Sequence, residues 1–288
     1  MPEARHRGWA LAAVGMLLVS TDSFFVRLSH AGGVDMAFLV AAVSLPVYLV
    51  LNRRLEPTKP LDVIRAAPAA FASVALLGGV SQTAFIVAVT RTDVANVVAI
   101  VASAPVMAAL FAWAFLSEQT PGRVWAAIAV TVLGVAIVVS GSIGAPRLDG
   151  DLTALAAIAA FALSIVVWRR NPDLSRFVGL AGSAGATLLM TAPFADPLGL
   201  DVRAYLCAAA MGLLFNTAGR IAHSNAPRFA PSSEVALFTP VETVAATLWA
   251  WLAFAEVPEA TTMVGAAVIV AGVLYGTLAA SLRPRLPR

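Results

Sequence analysis

Polar residues in this chain gather between long apolar segments and do not alternate with apolar ones. In hydrocarbon a helix satisfies its backbone groups within itself, so each such segment reads as a spanning helix. Ten fit the hydropathy: 9–29, 34–51, 66–88, 94–116, 123–141, 150–168, 177–193, 203–222, 232–254 and 261–281. The pattern predicts an all-α polytopic membrane protein of ten transmembrane helices. The first run is expected to be retained as a helix, not removed as a signal peptide.

One stretch occurs twice. Sliding Val94–Gly141 onto the segment from Ser232 lays Trp113 on Trp251, Glu118 on Glu256 and Gly134 on Gly272 in one ungapped frame. Each copy is an apolar run, a carboxylate, a break containing proline and a second apolar run. Gly141–Gly150 separates two sets of five runs. Five is odd, so the second set enters the membrane from the opposite face and the halves form an inverted repeat. The expected domains are residues 1–141, an outer linker at 142–149, and 150–288 with a basic tail.

Composition sharpens this picture. Apolar residues make up 60% and charged residues 12%, with a mean hydropathy of +0.86, well outside the soluble range. The pI near 9.6 invites a nucleic-acid partner, but the placement of charge argues against one. With the N-terminus inside, only Arg27, Arg91, Arg147 and Arg203 fall outside, and every other Lys and Arg falls on the cytoplasmic side. Both termini are therefore expected in the cytoplasm of a bacterial inner-membrane protein. Cys207 is the single cysteine, which excludes an intrachain disulfide and a thiolate cluster.

Ionisable and polar groups at membrane depth are costly and mark candidate sites. Glu242, near the middle of the ninth run, must face the bundle interior, be paired or be protonated. Asp22 either pairs with Arg27 or a neighbouring helix, or lines a substrate path. Gln82 and Asn216 read as interhelical hydrogen bonds or as pocket donors. Asn96 and Ser103 lie near mid-depth beside Pro105, which frees a carbonyl and kinks its helix. The second half carries Thr243 at the matching place and its proline at Pro240, so the halves are not bound to kink alike. Glu118 and its repeat mate Glu256 read as structural or gating groups, Glu118 as a charge on the dipole of the next helix. Arg220 is expected to snorkel to headgroups and His223 to lie at the surface or in a loop. The glycines at 179, 182 and 185 read as a helix-packing face.

No HExxH, CxxC, P-loop or GxSxG is present, so metallohydrolase, ATP-driven and serine-hydrolase chemistry have no carrier here. No cofactor is expected.

The residues carrying the repeat also carry a resemblance. Ala104-Pro105-Val106, Phe115-Leu116-Ser117-Glu118 and Gly134, echoed by Glu242, Trp249-Ala250-Trp251, Glu256 and Gly272, resemble the drug/metabolite transporter superfamily. The likeness is to its ten-span form with two EamA-type domains, and Ser23 to Arg27-Leu28 fits the start pattern. The resemblance covers essentially the whole chain. It implies a secondary transporter, not an enzyme, that works by alternating access and exports small metabolites. Among bacterial members the similarity is greatest to aromatic amino-acid exporters. That implies a cavity drawing on Phe24 and Phe238 besides Asp22, Gln82, Asn96, Ser103, Asn216, Glu242 and Thr243. Proton coupling and a monomer or weak homodimer in membrane lipid are compatible with it. The alternatives are transport of a nucleobase, vitamin or cationic compound, a non-transporting receptor, or an intramembrane enzyme using Asp22 and Glu242 as a carboxylate pair.

Overall fold

A computed structural model describes residues 2–56, 58–91, 97, 100–140, 148–254 and 260–281, and among these every regular element is helical. In chain order they are α1 (Pro2–Val19), α2 (Thr21–Ser29), α3 (Gly33–Leu55), α4 (Pro60–Ala66) and α5 (Pro68–Arg91). There follow α6 (Ala104–Leu116), α7 (Gly122–Val139), α8 (Leu148–Arg170), α9 (Arg176–Thr191) and α10 (Val202–Ala210). After a π-helical turn at Met211–Phe215 come α11 (Asn216–Asn225), α12 (Ser232–Ala236), α13 (Thr239–Phe254) and α14 (Ala260–Ser281).

Among the described residues, six helical stretches are long and apolar enough to cross a membrane: Glu3–Ser29, Gly33–Leu55, Pro68–Ala88, Leu148–Arg170, Ser232–Ala253 and Ala260–Thr277. Ala104–Leu116 and Gly122–Val138 are shorter apolar helices. The molecule is thus a polytopic membrane protein. Its outer face is apolar, with Leu76, Trp113, Leu133 and Leu189 more than half exposed, which suits a lipid surround. The expected linker at 142–149 lies largely outside the described residues.

Helices pair across the chain. α7 runs along α14, α1 along α11, α5 along α8 and α9, α9 along α3, and α6 against α8 and α12. Gly134 and Gly272, matched by the repeat, meet at one interface. A Cβ on Gly134 would lie 2.8 Å from the Ile269 amide and 2.9 Å from the Gly265 carbonyl, and one on Gly272 3.1 Å from the Thr131 amide. Only glycine lets the α7 and α14 backbones come this close. Replacing Gly134 with valine is expected to destabilise the fold by about 1–3 kcal/mol through overpacking. Gly122→Ala, where an added Cβ meets nothing within 4 Å, is expected to be neutral. Thermal unfolding of the two variants checks both.

Besides the π turn, three irregularities interrupt the spans among the described residues, and each has a local cause. Successive hydroxyls of Ser20, Thr21 and Ser23 back-bond to the carbonyls of Leu17, Leu18 and Ser20, which bends the first span between α1 and α2. The other two are breaks at prolines. Pro105 cannot donate to Val101, and Pro240 cannot donate to Ala236. In each case the chain turns at the intervening pair, Ala102–Ser103 and Leu237–Phe238, and the proline is the second residue of the next helix. Each turn tightens to an i→i−3 bond, Ser103 to Ile100 at 2.9 Å and Phe238 to Val235 at 3.2 Å. The halves therefore break alike relative to their prolines. The second break is displaced by three residues in the repeat frame, roughly 4.5 Å along a helix.

Candidate functional site

Five spans bring charged and polar groups together above a closed apolar core. Asp22 lies on α2, just beyond the Ser20 bend. The indole Nε1 of Trp249 on α13 donates to Ser20 Oγ at 2.9 Å and holds the bend in place. Asn216 opens α11 directly after the π turn. Thr217 Oγ1 donates back five residues to the Gly212 carbonyl, in π register. A π turn adds one residue to the helix and re-aims the side chains that follow it. Here Asn216 Nδ2 donates to Asp22 Oδ2 at 2.5 Å. The other carboxylate oxygen of Asp22 is buried and finds no hydrogen-bond partner among the described residues.

One turn further along α11, Arg220 Nη1 donates to Gln82 Oε1 on α5. The Arg220 guanidinium is within electrostatic reach of Asp22, and Asp22 within reach of Glu242 on α13. Tyr48 on α3, only 2% exposed, lies within reach of both Arg220 and Asp22. Within three residues of Asp22 or Asn216 in the chain, the rings of Phe24 and Phe25 meet edge to face at 5.0 Å, and Phe25 tilts against Phe215 at 5.3 Å and packs on an apolar cluster with Met36, Val40 and Met211. The cluster thus combines two carboxylates, one guanidinium and two amides, with a patch of phenylalanine close by in the chain.

On one side of this cluster lies the main core, where Trp9, Met16, Ala108, Ile128, Ile165 and Leu237 pack together. Beyond the core, an arginine-rich end of the bundle is tied by two buried or half-buried carboxylates. Glu234, on the five-residue helix α12 and 1% exposed, accepts Arg5 Nε at 2.7 Å and Trp9 Nε1 at 3.1 Å. A second Arg5 nitrogen also bonds it, and Arg123 Nη2 lies at 3.6 Å. Glu118 accepts Arg169 Nε at 2.8 Å and the Ser232 amide at 3.4 Å, while Arg169 Nη1 donates to the Pro227 carbonyl at 2.9 Å. These bonds join α1, α6, α7, α8 and α12 at one end.

The residues singled out from sequence are distributed as follows. Asp22, Gln82, Asn216 and Glu242 converge, and Phe24 follows Asp22 closely on α2. Ser103, Pro105, Pro240 and Phe238 sit at the two helix breaks, where Ser103 Oγ donates to Ile100 and Phe238 packs into the main core. Thr243, one residue beyond Glu242, is half-buried and its carbonyl accepts Thr247 Oγ1. Asn96 and Glu256 lie outside the described residues. The sequence reads Glu118 as a structural charge on the dipole of the next helix. In the structure it makes an interhelical ion pair, and α7 has no side-chain cap.

Two expectations are overturned. Arg220 points inward to Gln82 and not to the headgroups, because it shares the Asn216 face of α11 at i+4. His223, on the same face at i+7, is 7% exposed and stacks on Phe161 at 5.2 Å, so it is a core residue. Arg220, Tyr48, Arg5 and Arg123 complete arrangements that sequence reading did not assemble.

The family comparison bears directly on this arrangement. The model of the EamA-like transporter family matches residues 7–140 and again 149–277. The chain belongs to this family. The family model thus matches this chain twice, and the family is one of transporters. No curated protein matches the chain. A solved structure titled "Crystal structure of protein" superposes with a TM-score of 0.82 over 97% of this chain and 100% of that one. At 18% identity that likeness shows a shared fold.

Proposed function

We propose that this EamA-like chain is a secondary transporter working by alternating access, exporting small metabolites and foremost amino acids with aromatic side chains. The observation that carries the reading is a half-buried site holding both signs of charge, Arg220 within reach of Asp22 and Asp22 within reach of Glu242, with Phe24, Phe25 and Phe215 within three residues of Asp22 or Asn216 in the chain. A zwitterion matches it: its carboxylate replaces Gln82 on Arg220 and its ammonium takes the open oxygen of Asp22. Its ring packs on the phenylalanines. Binding that rearranges these bonds is a differential interaction between two states, which is what moves a transporter between them.

Alternating access draws support from the helix pairing. Counting spans, the contacts of the first with the eighth and the sixth with the third exchange when the halves are swapped. Those of the second with the seventh, the fourth with the ninth and the fifth with the tenth map onto themselves. This exchange supports a reading of ten spans in two inverted five-helix repeats. The concentration of Arg5, Arg53, Arg54, Arg123, Arg169 and Arg176 at one end supports a bacterial inner membrane with both termini and the Glu234 closure on the cytoplasmic side. The site then opens to the periplasm in this state.

Carboxylates outnumber the guanidinium two to one, and this favours a cationic compound as the second reading. A binding panel on purified protein separates the two, using aromatic and aliphatic amino acids, a nucleobase and a quaternary amine. Tight binding of phenylalanine or tryptophan, weakened by blocking either the amine or the carboxylate, is the expected result. Binding of the quaternary amine alone replaces it with the second reading.

A further inference from the structure

At the arginine-rich end, arginines fall into two groups. Arg5, Arg123 and Arg169 are ion-paired with Glu234 or Glu118. Arg7, Arg176 and Arg228 make no salt bridge among the described residues. Arg228 donates to the carbonyls of Pro172 at 2.7 Å and Leu174 at 3.4 Å and to Asn225 Oδ1 at 2.9 Å, which fixes its guanidinium without neutralising it. Arg176, 1% exposed, stacks on Trp168 at 4.3 Å and donates to the carbonyls of Trp168, Asn171 and Leu174. Glu56 and Asp173 act on it only from a distance, and Arg228 adds to its positive field. Arg7 is exposed and lies over the Phe229 ring at 4.8 Å.

Arg7 and Arg228 stand on the wall of an open groove of about 540 Å³ between α1, α3 and α11. Its remaining lining is almost wholly apolar, including Leu11, Leu51, Leu55 and Ile221. The volume lies within the roughly 300–1,000 Å³ of small-molecule sites. Two unneutralised guanidiniums above an apolar trough, at the level where basic residues gather, match the two ends of one kind of molecule. We propose that this groove binds an anionic phospholipid, its phosphate at Arg7 and Arg228 and an acyl chain along Leu11, Leu51, Leu55 and Ile221. Guanidinium groups between helices bind lipid phosphates through charge-assisted hydrogen bonds, and Arg7 has its N–H groups available for them. The lipid bridges α1, α3 and α11, and α3 and α11 also carry Asp22's neighbours Tyr48, Asn216 and Arg220.

The test uses the full chain in detergent, with phosphatidylglycerol or phosphatidylcholine of the same acyl chains, or glycerol 3-phosphate, added back. Thermal stability and native mass spectrometry are the readouts. Phosphatidylglycerol is expected to raise the unfolding midpoint and to survive as a one-to-one adduct, and the other two are not. Arg7→Gln removes the exposed guanidinium, and Ala218→Trp fills the groove from an exposed position while leaving both charges. Each is expected to weaken the phosphatidylglycerol effect about tenfold or more. Equal effects of the two lipids, an equal effect of glycerol 3-phosphate, or an undiminished preference in Arg7→Gln would overturn the proposal. So would a dimer that Ala218→Trp dissolves without any change in lipid response, since a second copy would then occupy the groove.

Discussion

Arg220→Gln is expected to lower saturable flux about 10- to 100-fold in a protein that still folds. The range follows from a hydrogen bond to a charged group, worth about 1.5–3 kcal/mol. Arg220 is the cation that balances Asp22 in a site that also contains Glu242. Without it the two carboxylates face each other with only Asn216 donating to Asp22 among the described side chains. Asp22→Asn is expected to lower flux to a similar degree. In thermal stability the double variant is expected to lose much less than the sum of the two single losses, because each single change leaves an unbalanced half-buried charge that the second removes. Full additivity of the two losses would mean that the residues do not act on one another. Flux in liposomes, with circular dichroism to verify folding and follow thermal unfolding, checks the three variants.

The second large effect is expected at the closed end. Glu234 is the buried member of a network whose arginines are partly exposed, Arg5 by 29% and Arg123 by 22% of their side chains. Breaking a fully buried ion pair costs about 3–5 kcal/mol, and this exposure argues for the lower part of that range or less. Glu234→Ala removes the acceptor shared by Arg5 and Trp9 and the carboxylate 3.6 Å from Arg123. The short α12 segment then loses its tie to α1 and α7. A cysteine placed at Ser224, buried in the native protein, is expected to react with a thiol reagent much faster in this variant once Cys207 is replaced. Glu118→Ala, which cuts the half-exposed pair with Arg169 and the longer bond from the Ser232 amide, is expected to have the smaller effect. Equal labelling with and without Glu234 would remove the closure from this network.

The helices, their repeat and the two breaks were legible because hydrocarbon leaves the backbone one solution and because proline removes a known donor. The repeat matched Gly134 with Gly272 but did not pair their helices; the structure places both at the close α7–α14 contact. Asp22, Gln82, Asn216 and Glu242 were legible as groups too costly to face lipid. Their partners were not. Arg220 and His223 were judged by nearness to the end of a run, which is a one-dimensional measure. Their orientation is set by the π turn at Met211–Phe215, which no side-chain pattern announced. The face of α11 did hold a signal, since Asn216, Arg220 and His223 recur at i, i+4 and i+7. Glu234 was not legible as a site because its partners, Arg5 and Arg123, lie far away in the chain.

Counterflow in liposomes containing the purified protein tests the central claim most directly. Vesicles preloaded with unlabelled phenylalanine receive radiolabelled phenylalanine outside, with and without a pH gradient, beside protein-free vesicles and vesicles carrying Asp22→Asn. Saturable accumulation of label by the native protein alone, lost in Asp22→Asn, is the expected result, and a response to the gradient would add proton coupling. Accumulation no faster than in protein-free vesicles, from protein that remains folded, would contradict amino-acid transport through this site.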